Sequence, residues 1–216
     1  ILLEPVQGEG GIVPLDEQYL VDVRAAADEF GLLVIYDEVQ CGFGRTGKLF
    51  AYEHSGIAPD IMAVAKGIGG GFPMGAFMAN SEAAKGITPG SHGSTYGGGP
   101  LAMAVGQCVL DELLSDGFMD HVNAMSAQMF AALDKVQKAN SDVLELVRGA
   151  GLMIGLKVTE AYTNLDVFAA LRDQMVLSVP AGDNAVRVLP PLNIELAQVE
   201  EFAAALQAAC EAVRKG

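Results

Sequence analysis

Positive charge is scarce in this chain: 13 lysines and arginines stand against 27 acids, a formal net charge of −14. A polyphosphate or an anionic membrane is held by clustered Lys and Arg, and those present are scattered, so nucleic-acid and membrane-surface partners are disfavoured. Cysteine is also scarce. Cys41, Cys108 and Cys210 form neither a CxxC pair nor an even set, which argues against a disulfide framework and for buried or free thiols in a reducing compartment. No apolar run approaches the ~18 residues of a membrane span. Internal repeats and low-complexity linkers are absent, and no metal site is expected. The chain lacks an initial methionine and a signal-peptide n-region, and "ILLEP" already reads as a strand, so it is expected to be a fragment of a longer protein.

What is present is apolar and regularly arranged. With 216 residues, 51% of them hydrophobic, the chain can bury a substantial core and reads as one large domain or one and a half. "ILLEP", "LLVIYD", "DIMAVAK" and "GAFMAN" read as strands. "DEQYLVDVRAAADEFG" carries Tyr19, Leu20, Val23, Ala27 and Phe30 near helical spacing, with Asp16 as N-cap and Gly31 as C′ stop. Continuous apolar strands separated by helices predict a mostly parallel sheet buried on both faces. From Pro100 the texture changes to two long amphipathic helices, "PLAMAVGQCVLDELLS" and "FMDHVNAMSAQMFAALDKVQKA". Short strands follow at "LELVRGAG", "LMIGLKV" and "AVRVLPPL", with a helix around "NLDVFAALRDQ" and a closing helix from Glu195. The domain boundary is expected near Ser115 to Gly117, giving domains 1–116 and 117–216.

Two strand ends carry the chemistry. "LLVIYDEVQCGFGRTG" runs an apolar strand into Asp37 and Glu38. Ligands of open parallel sheets bind outside the carboxyl ends of strands, and an ionised acid there calls for a positive partner. "DIMAVAKGIGGG" ends the next strand in Lys66. A desolvated lysine at that place is a usable amine nucleophile, and the glycines after it allow close approach of backbone to a ligand. "GIGGG" matches neither GxGxxG nor GxxxxGK[ST], which argues against a dinucleotide or nucleotide phosphate loop. Taken singly, Asp37 could cap a turn and Lys66 could be a surface residue. His54, His92 and His121 carry no catalytic signal.

The segment "VIYDEVQCGFGRTGKLFAYEHSGIAPDIMAVAKGIGGGFP" closely resembles the cofactor-attachment region of class III (omega-type) aminotransferases of fold type I. "LLEPVQGEGG", "GSHGSTYGGGPLA" and "VRVLPPLNI" also resemble that family, in its order. The resemblance covers essentially the whole chain and implies an α/β fold: the C-terminal part of the large cofactor domain, with its mostly parallel sheet and flanking helices, plus a small C-terminal α/β domain. It implies pyridoxal 5′-phosphate as cofactor, attached to Lys66, which would also act as general base and acid. Asp37 would face the pyridine nitrogen, Val39 the ring face and Gln40 the ring hydroxyl. Thr95, helped by Ser94, would bind the cofactor phosphate across a homodimer interface. Arg187 would take the α-carboxylate of glutamate, and Glu9 would pair with it when the other substrate is bound. Glu38 is read as a structural acceptor that organises the loop. Gly99 departs from the family's usual asparagine and puts the loop before Pro100 in question.

Within the family the sequence is most similar to enzymes acting on acetylornithine in arginine biosynthesis, with amino-acid and 2-oxo-acid substrates and a cytoplasmic location implied. Relatives acting on ornithine, succinylornithine, γ-aminobutyrate or another diamine share nearly all these residues. A non-catalytic remnant and a nucleotide- or flavin-binding α/β protein are the remaining alternatives. The intact Lys66, Asp37, Thr95 and Arg187 argue against the former, and the glycine spacing argues against the latter. The family's glycine-rich phosphate cradle and ring-stacking aromatic would lie before Ile1, so the 216 residues alone are expected to be inactive and to leave a bare sheet edge.

Overall fold

The computed structural model describes residues 1–215. In chain order the elements are β1 (Leu2–Leu3), β2 (Val6–Gln7), β3 (Val13–Pro14), α1 (Glu17–Phe30), β4 (Ile35–Asp37), β5 (Ile61–Val64), β6 (Ala76–Ala79), α2 (Ser81–Ala84), α3 (Pro100–Leu113) and α4 (Phe118–Ala139). They continue with β7 (Leu144–Ala150), β8 (Met153–Val158), α5 (Asn164–Asp173), β9 (Val179–Ala181), β10 (Ala185–Val188) and α6 (Leu196–Val213), and single 3-10 turns occupy Ala51–His54 and Lys66–Gly69. The chain forms two compact units, Ile1–Pro5 with Leu15–Phe118, and Val6–Pro14 with Met119–Gly216. The limit at Phe118/Met119 lies close to the expected boundary at 116/117, and Val6–Pro14 groups with the second unit. The β2–β3 hairpin lies with the second unit because the Arg148 guanidinium and the Gly182 N–H bind its loop carbonyls.

The first unit is built on a sheet of order β1-β4-β5-β6. β1 and β4 are parallel, as are β4 and β5, while β6 runs antiparallel to β5. Helix α1 makes the crossover between β1 and β4. The Asp16 carboxylate accepts the Gln18 and Tyr19 N–H groups, and Gly31 closes the helix in the left-handed region. Leu20, Val23 and Ala27, one stripe of α1, pack with Val34 and Tyr36. Tyr19 and Phe30, assigned to that stripe by spacing, are 50% and 69% exposed.

Burial of this sheet departs from the expectation of two covered faces. Tyr36, Met62 and Val64 are buried, but their alternates Ile35, Ile61 and Ala63 are only partly so, and Phe77 and Met78 of β6 are exposed. The physical reason is connectivity. Only β1 to β4 is bridged by a long helix, and the links from β4 to β5 and from β5 to β6 are loops with 3-10 turns. Helix α3 presents Gly106 toward Met74 and the 3-10 turn, while Leu101 and Met103 remain exposed.

The second unit is an antiparallel sheet of order β7-β8-β10-β9 with α4, α5 and α6. Helix α4 buries Val122, Ser126, Met129, Leu133 and Val136, an alternating 4-3 spacing that forms one stripe. Helix α6 buries Val199, Phe202, Leu206, Ala209 and Cys210. Each fully buried Leu here contributes about 1.5–3 kcal/mol. β10 is wholly buried and β8 nearly so. The turn Gly182–Ala185 joins β9 to β10 with φ of +52° at Asp183 and +49° at Asn184, a type I′ pattern suited to strand twist. Cys41, Cys108 and Cys210 are free thiols, and burial pushes Cys210 up to about 11. Among the described residues no helix is long and apolar enough to cross a membrane.

Candidate active site

Asp37 is the last residue of β4 and lies opposite Ala63 of the parallel strand β5, and Lys66 follows Ala63 by three positions. The acid and the amine thus leave the carboxyl ends of adjacent parallel strands, where an open α/β sheet binds ligands. Asp37 is partly exposed. Its Oδ1 accepts the Val39 N–H at 2.9 Å, which orients the carboxylate. Val39 and Gln40 are also partly exposed.

Glu38 occupies the opposite face and is 1% exposed. Its N–H extends the ladder to the Ala63 carbonyl and its carbonyl accepts the Gly42 N–H. Its carboxylate accepts the Ala51 and Tyr52 N–H groups at 2.6 and 2.9 Å, satisfying donors of the 3-10 turn. The reading of Glu38 as a loop-organising acceptor agrees with this geometry. Burial pushes the carboxyl up to about 7, against the two N–H donors that pull it back. With the folded value above the unfolded one, Glu38's contribution to stability is fully present below about 4.5 and is lost as pH rises through about 7. That amounts to about 3 kcal/mol across the window. In Glu38→Gln, the amide nitrogen must face one of the two backbone donors. The substitution is expected to cost about 1–3 kcal/mol at pH 5, with a smaller difference at pH 8, measured by denaturant unfolding of the full-length protein. An equal deficit at both values would remove Glu38 as the titrating group.

Lys66 has φ of +46° directly after the extended Ala65. A non-glycine residue in that region costs about 1 kcal/mol or more and persists only where the surroundings impose it. The surroundings are tight. A Cβ on Gly67 would stand 3.0 Å from Phe43 Cβ, one on Gly69 3.0 Å from Met74 Cγ, and one on Gly70 2.9 Å from Val109 Cγ2. Gly67, Gly69 and Gly70 therefore serve the close packing of the turn that follows Lys66. The desolvation expected of the Lys66 amine is not seen in this chain, where Lys66 is exposed.

Ser94 and Thr95 lie apart from the strand ends in sequence, on an exposed loop. Ser94 Oγ accepts the Gly97 N–H at 2.8 Å, and the loop borders a cleft of about 620 Å³ lined also by Phe72, Met74 and Leu101. Gly99 is the N-cap of α3, with φ −59° and ψ 142° and no side-chain cap. Those angles are open to any residue, so the departure from asparagine removes a cap acceptor without demanding a glycine-only conformation. His92 stacks on Phe77, and the ring nitrogens of His54 and His121 meet the carbonyls of Thr46 and Ile194.

The second unit holds the remaining pair. Arg187, in the middle of buried β10, donates through Nη1 to Glu9 Oε1 at 2.5 Å. Arg187 is 10% exposed at the side chain and Glu9 77%, so a buried guanidinium is paired with an exposed acid. Two further features escaped sequence reasoning, the β2–β3 hairpin that carries Glu9 and Arg148 beside it. The glycines of "QGEGG" signalled a turn, but two-residue strands leave no periodicity to read.

Comparison with known proteins places these geometries. The family model for class-III aminotransferases matches residues 1–210. Acetylornithine aminotransferase of Mesorhizobium japonicum is 59% identical over 201 residues, 93% of this chain and 50% of that protein. The acetylornithine aminotransferase of Clostridium acetobutylicum is 43% identical over 93% of this chain and 51% of its own length. Among solved structures, the N-acetylornithine aminotransferase of Stenotrophomonas maltophilia K279a superposes with a TM-score of 0.88 at 34% identity, covering 99% of this chain and 56% of that one. The ornithine delta-aminotransferase of Plasmodium falciparum gives 0.92 at 30% identity, covering 100% and 55%. The chain spans about half the length of the curated relatives it matches. By family match, identity and fold, it belongs to the class-III aminotransferases.

Proposed function

We propose that the full-length protein is a pyridoxal-phosphate-dependent transaminase that moves the terminal amino group of N-acetylornithine to 2-oxoglutarate. The observation that carries this reading is the placement of Asp37 and a strained Lys66 at the ends of adjacent parallel strands. The donor set fits the cofactor: a primary amine for an aldehyde, a carboxylate for a pyridine nitrogen, hydroxyls for a phosphate. When bound, pyridoxal phosphate supplies an electron sink for the carbanion formed at the amine-bearing carbon.

Lys66 Nζ would hold the cofactor through its aldehyde and, once the incoming substrate amine has displaced it, would be free to take the proton from the amine-bearing carbon. Asp37, whose Oδ1 accepts the Val39 N–H, would keep the ring nitrogen protonated through its negative charge. Val39 bears on the ring and Gln40 on its hydroxyl. Thr95 and Ser94 serve the phosphate of the neighbouring subunit in a homodimer. Arg187 takes the α-carboxylate of glutamate or 2-oxoglutarate, and Glu9 occupies Arg187 when the ω-amine substrate is present. The acetylornithine assignment rests on the 59% identical relative. The fit to ornithine aminotransferases at TM-scores of 0.91–0.92 favours ornithine as the second reading.

Steady-state transfer to 2-oxoglutarate from acetylornithine, succinylornithine, ornithine and γ-aminobutyrate is the direct test, with the highest kcat/KM expected for acetylornithine. Faster use of ornithine or γ-aminobutyrate would overturn the substrate assignment. Arg187→Lys should raise the KM for glutamate by about tenfold or more with a smaller effect on acetylornithine, since an ammonium cannot reproduce a bidentate fork. Equal changes in both half-reactions would count against the assigned role.

A further inference from the structure

β7, β8 and β10 are adjacent, and one cross-strand row contains Arg148, Gly155 and Arg187: Arg148 lies opposite Gly155 on one side and Arg187 opposite it on the other. Directly opposed residues share a face, so two arginines point the same way about two strand spacings, roughly 10 Å, apart. Between them stands a residue without a side chain. A Cβ on Gly155 would meet Gly11 O and Ile12 Cβ, each at 2.9 Å, so the loop Gly8–Ile12 lies directly on this bare position. Arg187 holds the loop's Glu9 carboxylate. Arg148 holds its backbone, donating to Gly11 O through Nε at 3.0 Å and Nη2 at 2.7 Å.

The loop needs that hold. Ile12 is fully buried with φ of +58°, a conformation a β-branched residue adopts only under constraint, and Gly11 has φ of +113°. Arg148 is itself anchored, its Nη1 pairing with Asp183 Oδ2 at 2.8 Å, while Lys157 pairs with the other oxygen of the same acid. Gly182, next to Asp183, donates its N–H to Glu9 O at 2.8 Å. The Glu9 carbonyl is thus held by Gly182 and the Gly11 carbonyl by Arg148, while the Glu9 side chain stays exposed.

We propose that Arg148 is a positioning residue: by clamping the Gly11 carbonyl over Gly155 it sets where Glu9 stands over Arg187, and so divides the site between its two carboxylate arrangements. This inference rests on the reading of Glu9 and Arg187 given above. An intact clamp keeps Glu9 on Arg187 and favours the ω-amine substrate. A loosened clamp leaves Arg187 open to the glutamate α-carboxylate.

The test uses the full-length holoenzyme and follows the two half-reactions separately in single turnovers. Arg148→Met should raise the ratio of glutamate to acetylornithine efficiency about tenfold, Arg148→Lys should do so less, and Glu9→Ala should shift it in the same direction. In the double variant Arg148→Met/Glu9→Ala the Arg148 change should add nothing. Amide hydrogen exchange should also accelerate in residues 6–14 of Arg148→Met. Should that variant fail to fold, Gly155→Ala, which pushes the loop off the sheet, carries the same expectation. A uniform loss in both half-reactions with a normal Glu9→Ala shift, or unchanged exchange, overturns the positioning role alone. A Glu9→Ala enzyme with an unshifted ratio overturns the underlying reading and this inference together.

Discussion

In the full-length protein, Lys66→Ala is expected to lower amino transfer by at least about 10³-fold and to abolish covalent retention of cofactor after borohydride reduction. Three of the other lysines are already engaged. Lys85 is paired with Glu82, Lys157 with Asp183, and Lys48 donates to the Glu53 carbonyl. Lys66 is exposed at the mouth of the sheet, on a backbone held in the left-handed region. A surface lysine has no need of that conformation. The turn after Lys66 is closely packed on Phe43, Met74 and Val109 through its glycines, none of which contacts depends on the lysine side chain, so Lys66→Ala should fold. A borohydride-fixed adduct on another lysine, found by peptide mass analysis, would end the assignment.

The same strand ends show what a sequence discloses. Asp16 and Gly31 bounded α1 because caps are local chemistry, and α4 spans the residues its amphipathic pattern marked. The acid and amine could be placed at strand ends because apolar runs stopped there. Burial of the second sheet face could not, since whether a neighbouring element covers Ile35 and Ile61 is a property of connections rather than of the strand's own residues. The hairpins were harder. β2, β3 and β9 have two or three residues each, too few for a period of two to register. Yet "AGDNAV" carried the Asp-Asn pair that tolerates positive φ at both centres of a type I′ turn. Arg148 gave no signal at all. Its role is visible only once β7, β8 and β10 are in register and the glycine between the two arginines is seen to seat a loop from the other end of the sequence.

Asp37→Asn is expected to keep cofactor content within about twofold of normal while slowing the proton transfer of both half-reactions by about 10²- to 10³-fold. The Val39 N–H decides the geometry. It donates to Asp37 Oδ1, so an asparagine must keep its carbonyl oxygen there, because the flipped amide would set two donors against each other. The amide nitrogen is then forced into the place of Oδ2, where it would present a donor instead of a negative charge to the ring nitrogen. A ring nitrogen facing a donor cannot also carry a proton, and an unprotonated pyridine is a much poorer electron sink for the carbanion. Cofactor retention should survive because Lys66 and the phosphate contacts are untouched. Glu38 should also hold the strand end in place through Ala51, Tyr52 and Gly42. Rapid-mixing measurements with glutamate and with acetylornithine separate the outcomes. Slow proton transfer with full cofactor supports the electrostatic role. Near-normal rates in both half-reactions would reduce Asp37 to a turn-forming acceptor for Val39.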